Sequence, residues 1–401
     1  MDINQREYNV AKQNGRIIHA KINILNFDFQ QVDEISGVVL EGSSYNIDAN
    51  SDIRRTCNIS LIPKDRTFNV EYGSKLWIDK YIQVFVGIED NTNNGEIVYS
   101  NLGLYLINNP DQVYDASNNT MTISGVDLMA KITGMRNGYL GFDTAIQYQI
   151  VANAGIKQVM TTIIRDECGF SRYSIDQPSP TILTPNAISF GLGSTAYNMI
   201  SQLRDINAGY QTYFDQDGIF WFNHIPTGSN EQIRVNDDIW QKVLISYKKS
   251  TDFESVKNSI EVYGKTQDDG RTPYGKAEET NPESPFYIGN SRENVIRIVL
   301  SGGEYDNIFP INSTTEFNSL AQQRADYELY LRCRLQDQIE LTCVPVYWLD
   351  VNWLTEITLP NEQSGQEITE KYIIKRISTT LGVNGTQNVT MMKYYPLYPW
   401  G

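Results

Sequence analysis

Apolar and polar residues alternate along many short stretches of this chain. From Arg16 onward, Ile18, Ala20, Ile22 and Ile24 fall on one face with Lys21 and Asn23 on the other, the period of two expected of a half-buried strand. Between residues 58 and 125 the pieces NISLIP, KLWIDKYIQVFVGIED and VYSNLGLYLINN are followed by a polar turn at Asn118-Asn119 and NTMTISG. Between residues 338 and 393 come IELTCVP, WLDVNWLTEITLP and KYIIKRISTTLG, then the turn Val383-Asn384-Gly385-Thr386 and NVTMMK. Ile, Val, Thr, Tyr and Trp fill these pieces, and Pro, Gly and Asn cut them, which predicts antiparallel hairpins. Both stretches hold a strand ending in Pro, an aromatic-acidic step (Trp77-Ile78-Asp79 and Trp348-Leu349-Asp350), a long strand, a polar hairpin, a further strand and a Met-Thr strand. The order reads as one β-unit used twice. The strand from Trp353 to Leu359 should then stand where Tyr81 to Ile88 stands in the first copy.

Helical periodicity enters in between. Over residues 143–168, Ile146, Ile150, Val151, Ala154, Val159, Ile163 and Ile164 recur at helical spacing and predict two modest helices broken near Ala154-Gly155-Ile156. The Pro-rich segment Gln177 to Pro185 ends them. A further helix should start after Gly193, capped by Ser194, with Ala196, Met199, Ile200 and Leu203 on its inner face. A hairpin turning at Asp215-Gln216-Asp217-Gly218 follows. Residues 266–290, rich in Gly, Pro and Glu, read as an exposed excursion. Ser313-Thr314-Thr315-Glu316 has the capping-box form, and Phe317, Ala321, Ala325, Leu329 and Cys333 then fall at i+4 steps. That helix should cover an end or side of the second β-unit. The expected organisation is a peripheral segment 1–15, a first β-domain 16–135, a mixed α/β middle domain 136–245 and a second β-domain 246–401. The second β-domain carries the helix at 314–336 and the excursion at 266–290. The fold class is mainly β with an α+β insert.

Charge and composition narrow the function. A net charge of −15 disfavours contact with phosphate backbones, so sequence-specific nucleic-acid binding is not expected. The four cysteines, Cys57, Cys168, Cys333 and Cys343, lack metal-ligand spacing, and no metal or cofactor is expected. Cys57 and Cys343 fit as small buried apolar groups. No stretch reaches the ~18 apolar residues of a membrane span. His19 and His224 are the only histidines, and each fits a structural place better than a catalytic one. Gly191-Leu192-Gly193-Ser194-Thr195 lacks the lysine of a phosphate loop. Asp215 to Gly218 suits a hairpin better than a calcium loop, whose twelfth position would here be Pro226. The 25 tyrosines, with Trp221, Trp348 and Trp353, fit β-rich cores, extended interfaces or sugar stacking. A carbohydrate- or receptor-binding β-protein and a cell-wall hydrolase working through carboxylates therefore stay open beside a structural role.

Several stretches resemble the tail hub proteins of bacteriophages and related contractile injection machines. SVKNSIEVYGK at 255–265 resembles that family's entry into its second barrel, and the helix from Phe317 to Arg334 and the stretches at 338–360 and 371–382 complete that half. ISFGLGSTAYNMISQLRDINAGYQTYFDQDGIFWF at 188–222 resembles its middle-domain helix and Asp-Gly hairpin. The resemblance implies two tube-like β-barrels per chain and a homotrimer, so that a unit used twice turns threefold into pseudo-sixfold symmetry. Such a ring joins a tail tube or distal tail protein to spike, baseplate or tail-fibre proteins and passes tape measure and DNA. It implies a place in the virion, at the tail tip or baseplate, after synthesis in the host cytoplasm. It implies no enzymatic activity, the chain ending at Gly401 soon after the second β-unit. The ring-forming strands would carry Ile82, Val84, Val86, Trp353, Ile357 and Leu359.

Overall fold

The computed structural model describes the chain outside residues 1–3, 37–40, 62–72, 74, 115–118, 141–147, 179–182, 185–186, 229, 290, 311–315, 335, 361–364, 383 and 397–401. The expected turns at Asn118 and Val383, the prolines Pro180 and Pro185 and the capping residues Ser313 to Thr315 lie outside the described residues. The first third holds α1 (Gln5–Val10), β1 (Ile18–Leu25), β2 (Gln31–Ser36), β3 (Ser44–Asp48), β4 (Arg55–Leu61), β5 (Tyr81–Asp90), β6 (Glu96–Tyr114) and β7 (Asn119–Val126). The middle holds β8 (Tyr148–Ile150), α2 (Ile156–Thr162), β9 (Tyr173–Ile175), β10 (Ile188–Phe190), α3 (Ala196–Asp205), β11 (Tyr210–Phe214), β12 (Phe220–His224) and α4 (Asp237–Val243). Then come β13 (Leu244–Asp252), β14 (Ser259–Tyr263), β15 (Tyr274–Glu278), β16 (Arg297–Leu300) and α5 (Ser319–Arg332). The last strands are β17 (Gln336–Cys343), β18 (Leu354–Pro360), β19 (Glu367–Thr380) and β20 (Gln387–Lys393).

Two five-stranded units share one strand order, β3-β4-β7-β6-β5 and β13-β17-β20-β19-β18. In each, the long fourth strand is split between two partners. β6 pairs β5 along Glu96 to Leu106 and β7 from Leu106 on, and β19 pairs β18 along Glu367 to Ile373 and β20 from Tyr372 on. Each also bulges at the same point, with Asn108 the extra residue against β7 and Lys375 the extra residue against β20. A bulge interrupts the ladder and sharpens the twist, so its recurrence at equivalent sites marks one unit used twice. Counted from the bulge, Tyr81 is equivalent to Leu354 and Val84 to Ile357. β18 therefore takes in its unit the place that β5 takes in the first.

The two units are joined by hydrogen bonds. β19 is long enough to hold β18 along its first half and β3 along its second half, with Ile377 opposite Ile47 and Thr379 opposite Tyr45. The result is a twelve-stranded sheet running from β13 to β2. A single apolar core serves both units: Ile47, Ile59, Val84 and Met121 of the first pack in one cluster with Ile339, Ile357, Ile374, Val389 and Met391 of the second. Within the segment 1–15, expected to be peripheral, α1 and the residue after it dock on the sheet: Val10 and Ala11 are buried, and Tyr8 stacks on Trp348 at 5.5 Å.

The middle region departs from its sequence pattern in detail. Of the two helices expected over 143–168, the first stretch is the short strand β8 paired with β10, and only the second is helical. α2 widens into a π-turn at Ile163–Glu167, which keeps both Ile163 and Ile164 buried. The cap of α3 is Thr195 rather than Ser194: its side chain accepts from Asn198 N–H while the Asn198 side chain bonds back, a reciprocal cap that serine one residue earlier does not make. The hairpin at Asp215 forms as expected, Gly218 taking φ +72. Oδ1 of Asp215 accepts from Asp217 and Ile219 N–H at 2.9 Å each, and Oδ2 accepts from Trp221 Nε1 at 2.7 Å.

Residues 266–290 are not merely an excursion. They contain β15, which pairs with β14, itself beside β16, in a separate three-stranded sheet. SVKNSIEVYGK thus builds this small sheet rather than the large one. α5 begins at Ser319, after Phe317, and packs on β14 and β15 instead of covering the large sheet, with Ala321, Ala325 and Leu329 facing inward.

Candidate assembly site

The junction between the units is built from side chains that seal the β3–β19 pairing. Tyr45 and Gln387, both essentially unexposed, meet there: Gln387 Nε2 donates to Tyr45 Oη at 3.2 Å, to Thr379 Oγ1 at 3.0 Å and to Val346 O at 3.3 Å. Its Oε1 accepts from Val346 N–H at 3.1 Å, so the amide is fully used. Burial pushes the Tyr45 phenol up, and it stays neutral.

Across the same seam, Arg55 on β4 reaches Asp350, in the connection between β17 and β18, at 2.5 Å. The acidic residue of the repeated aromatic-acidic step is thereby a buried counter-ion. Its counterpart in the first unit, Asp79, pairs instead with its neighbour Lys80 near the surface. The Arg55 backbone N–H donates to Asp127, whose carboxylate also caps the 3-10 turn Leu128–Lys131 through Met129 N–H, each at 2.9 Å. Burial outweighs these bonds and raises the Asp127 carboxyl to about 6. The folded chain then binds this proton more readily than the unfolded chain, so the group favours folding at low pH and loses that contribution as pH rises through about 6. Lowering the pH from 7 to 5 should therefore stabilise the wild-type chain relative to Asp127→Asn in paired urea titrations.

The ring-strand candidates lie in the interior. Ile82, Val84, Val86, Ile357 and Leu359 are 4% exposed or less, and Trp353 is half-buried 6.4 Å from Trp348. Their strands have no free edge, because β5 is held by β1 and β6. β18 is held by β19 and, on its other side, by residues 234–237, where Arg234 N–H donates to Leu354 O and Glu356 N–H to Val235 O. One free edge of the large sheet belongs to β13, which the sequence did not single out. Among the described residues β13 pairs with β17 alone, and seven of its nine residues are exposed.

Other candidates are absorbed by structure. His19 Nε2 lies 2.6 Å from Glu89 Oε1 on the neighbouring strand, and burial lowers the pKa of His224. Trp348 donates to Glu7 O at 3.2 Å. Cys57 and Cys343 are buried free thiols. Among the described residues no cluster of His, Cys, Asp and Glu could hold a metal ion, and no helix is long and apolar enough to cross a membrane.

Residues 283–398, from before α5 to just past β20, match the family described as Domain of unknown function (DUF5048). No curated protein sequence matches the chain. Solved structures do. The tail protein from Neisseria meningitidis MC58 superposes with a TM-score of 0.59 at 9% identity, covering 94% of this chain and 96% of that one. The 43 kDa tail protein of prophage MuSo2 from Shewanella oneidensis gives 0.57 at 11% identity, covering 93% and 98%. The prophage tail protein gp18 from Listeria monocytogenes EGD-e gives 0.53 at 12%, covering 93% and 94%. Over nearly its whole length, this chain has the fold of phage tail proteins.

Proposed function

We propose that this chain is a structural, non-enzymatic hub of a phage-type tail, which assembles as a homotrimer with pseudo-sixfold symmetry. The ring joins the tail tube to baseplate or spike proteins at the virion tip and leaves a lumen for tape measure and DNA. The observation that carries this reading is the repeated five-stranded unit together with the way its two copies join. Each copy serves as one tube-like barrel wall. Within the chain, β3 of the first unit adds to the far half of β19 in the second. By the repeat, β13 is the counterpart of β3, and residues 109–113 of β6 are the counterpart of the second half of β19. β13 of one copy then adds to β6 of the next, and three chains close six units. Pro110 in the receiving stretch removes one donor from that ladder, which keeps this edge from templating unrelated strands.

The β3 ladder tells which residues of β13 point outward. Asp48 N–H donates to Arg54 O on the β4 side, whereas Ala49 N–H donates to Lys375 O on the β19 side. Carried over, Lys249 and Thr251 turn their N–H groups to the free edge. Lys249→Pro deletes one such donor and leaves the bonds to β17 in place. Light scattering should give the mass of three chains for the wild type and of one chain for Lys249→Pro, with far-UV dichroism unchanged. A wild-type chain that stays monomeric at high concentration and moderate salt would refute the ring.

A further inference from the structure

Where the two β-units, the middle region and α5 converge, a polar cavity of about 300 Å³ opens beneath the turn after β3. Its walls carry four cations. Two are neutralised in place: Arg204 pairs with Asp205 at 2.8 Å, and Arg324 pairs with Glu304 at 3.2 Å and with Glu328 at 2.9 Å. The other two, Arg54 and Lys375, form no ion pair among the described residues. Arg54 is 4% exposed, lies over the Tyr213 ring at 3.9 Å and donates through Nη2 to the Gln211 amide oxygen at 2.8 Å, while its Nε has no acceptor. Lys375 donates to the Asn352 amide oxygen at 2.9 Å, and Asn352 Nδ2 in turn reaches the Gln211 oxygen at 2.6 Å. Two cations thus share one small amide network that supplies no negative charge.

The backbone is arranged to put them there. Lys375 is the bulge residue of β19, and a bulge re-aims the side chain it adds. Its carbonyl accepts from Ala49 N–H at 2.9 Å, fixing it beside the turn that leads to Arg54. Asn352 sits in the left-handed region at φ 58, with its amide between Gln211 and Lys375. The equivalent bulge in the first unit carries the neutral Asn108, so the charge belongs to this site and not to the repeated design. Burial, with Arg54 and Arg334 nearby, lowers the Lys375 ammonium to about 8. A buried cation without a counter-ion is costly, and an anion that enters the cavity offsets two such costs at once.

We infer that this cavity is a binding site for a small doubly charged oxyanion of the phosphate class, held by the Arg54 guanidinium and the Lys375 ammonium. An arginine fork beside a lysine point charge suits the oxygens of such a ligand. The site is independent of how the ring assembles. The test is thermal unfolding of the full-length protein at pH 7 in inorganic phosphate against chloride at equal ionic strength. Phosphate at about a hundred times its Kd should raise the midpoint on the order of 3 °C over chloride. Lys375→Met, which removes a charge rather than a core contact, should fold with an unchanged or higher midpoint and lose at least nine-tenths of the phosphate response. Arg54→Gln should lose it likewise. Equal midpoints in phosphate and chloride for the wild type, or a full response retained in folded Lys375→Met, would overturn the assignment.

Discussion

Asp350→Ala is expected to destabilise the fold by about 3–5 kcal/mol, measured by urea unfolding at a fixed protein concentration. The reason is the position of its partner. Arg55 is 2% exposed and its Nη2 meets Asp350 Oδ2 at 2.5 Å, while its Nε already lacks an acceptor. Removing the carboxylate strands a largely buried guanidinium between two units that share one core. The loss is a penalty for the unpaired charge rather than the worth of the pair, and the two are separable. Replacing both partners together, Arg55→Met with Asp350→Leu, should recover most of the stability, because a matched apolar pair carries no desolvation cost. A single mutant that loses less than about 1 kcal/mol would mean that water screens the pair, and that the seam between the units is open.

Much of the large sheet was legible because its strands are short, well punctuated and half-buried. The alternation in β1 and the Pro, Gly and Asn breaks located the repeated unit, and the strand from Trp353 does take the place equivalent to β5. What the pattern does not encode is which free edge meets which. The β3–β19 junction depends on β19 being longer than β18, a fact about two strands compared, and the buried role of Asp350 depends on Arg55, 295 positions away in the chain. β8 was missed because three residues cannot display an alternation. Neither Arg54 nor Lys375 carries a local signal. Lys375 sits in the strand-like run KYIIKRISTT, and only the bulge, invisible without its partner strand, turns it inward. The helix α5 was found from Ala321, Ala325 and Leu329, but its seat was misplaced, since the apolar stripe says that a face is covered and not by what.

That seat supports the second large effect, Gly275→Ala, for which a loss of roughly 3 kcal/mol is expected. β15 is an edge strand of its small sheet, and α5 covers it twice over. Its free backbone groups are met by helix side chains: Asn318 Oδ1 accepts from Tyr274 N–H at 3.0 Å, and Gln322 both accepts from Lys276 N–H at 3.1 Å and donates to Lys276 O at 2.8 Å. Such bonds require the helix to lie almost on the strand, and Gly275 is what permits it. A Cβ there would stand 2.1 Å from Ala321 O and 2.3 Å from Ala321 C, which are backbone atoms that no rotamer change can clear. The helix must lift, and the edge then loses its three covering bonds together. Gly155→Ala is the control, since a Cβ at Gly155 meets nothing within 4 Å and its backbone lies at φ −68. Hydrogen exchange should localise the damage. Protection should fall at Tyr274 and Lys276 and hold along β17 to β20, because those four strands pack in clusters that α5 does not enter. Unchanged protection at Tyr274 with an unchanged unfolding midpoint would show that α5 rides on the strand loosely, against the distances at Gly275.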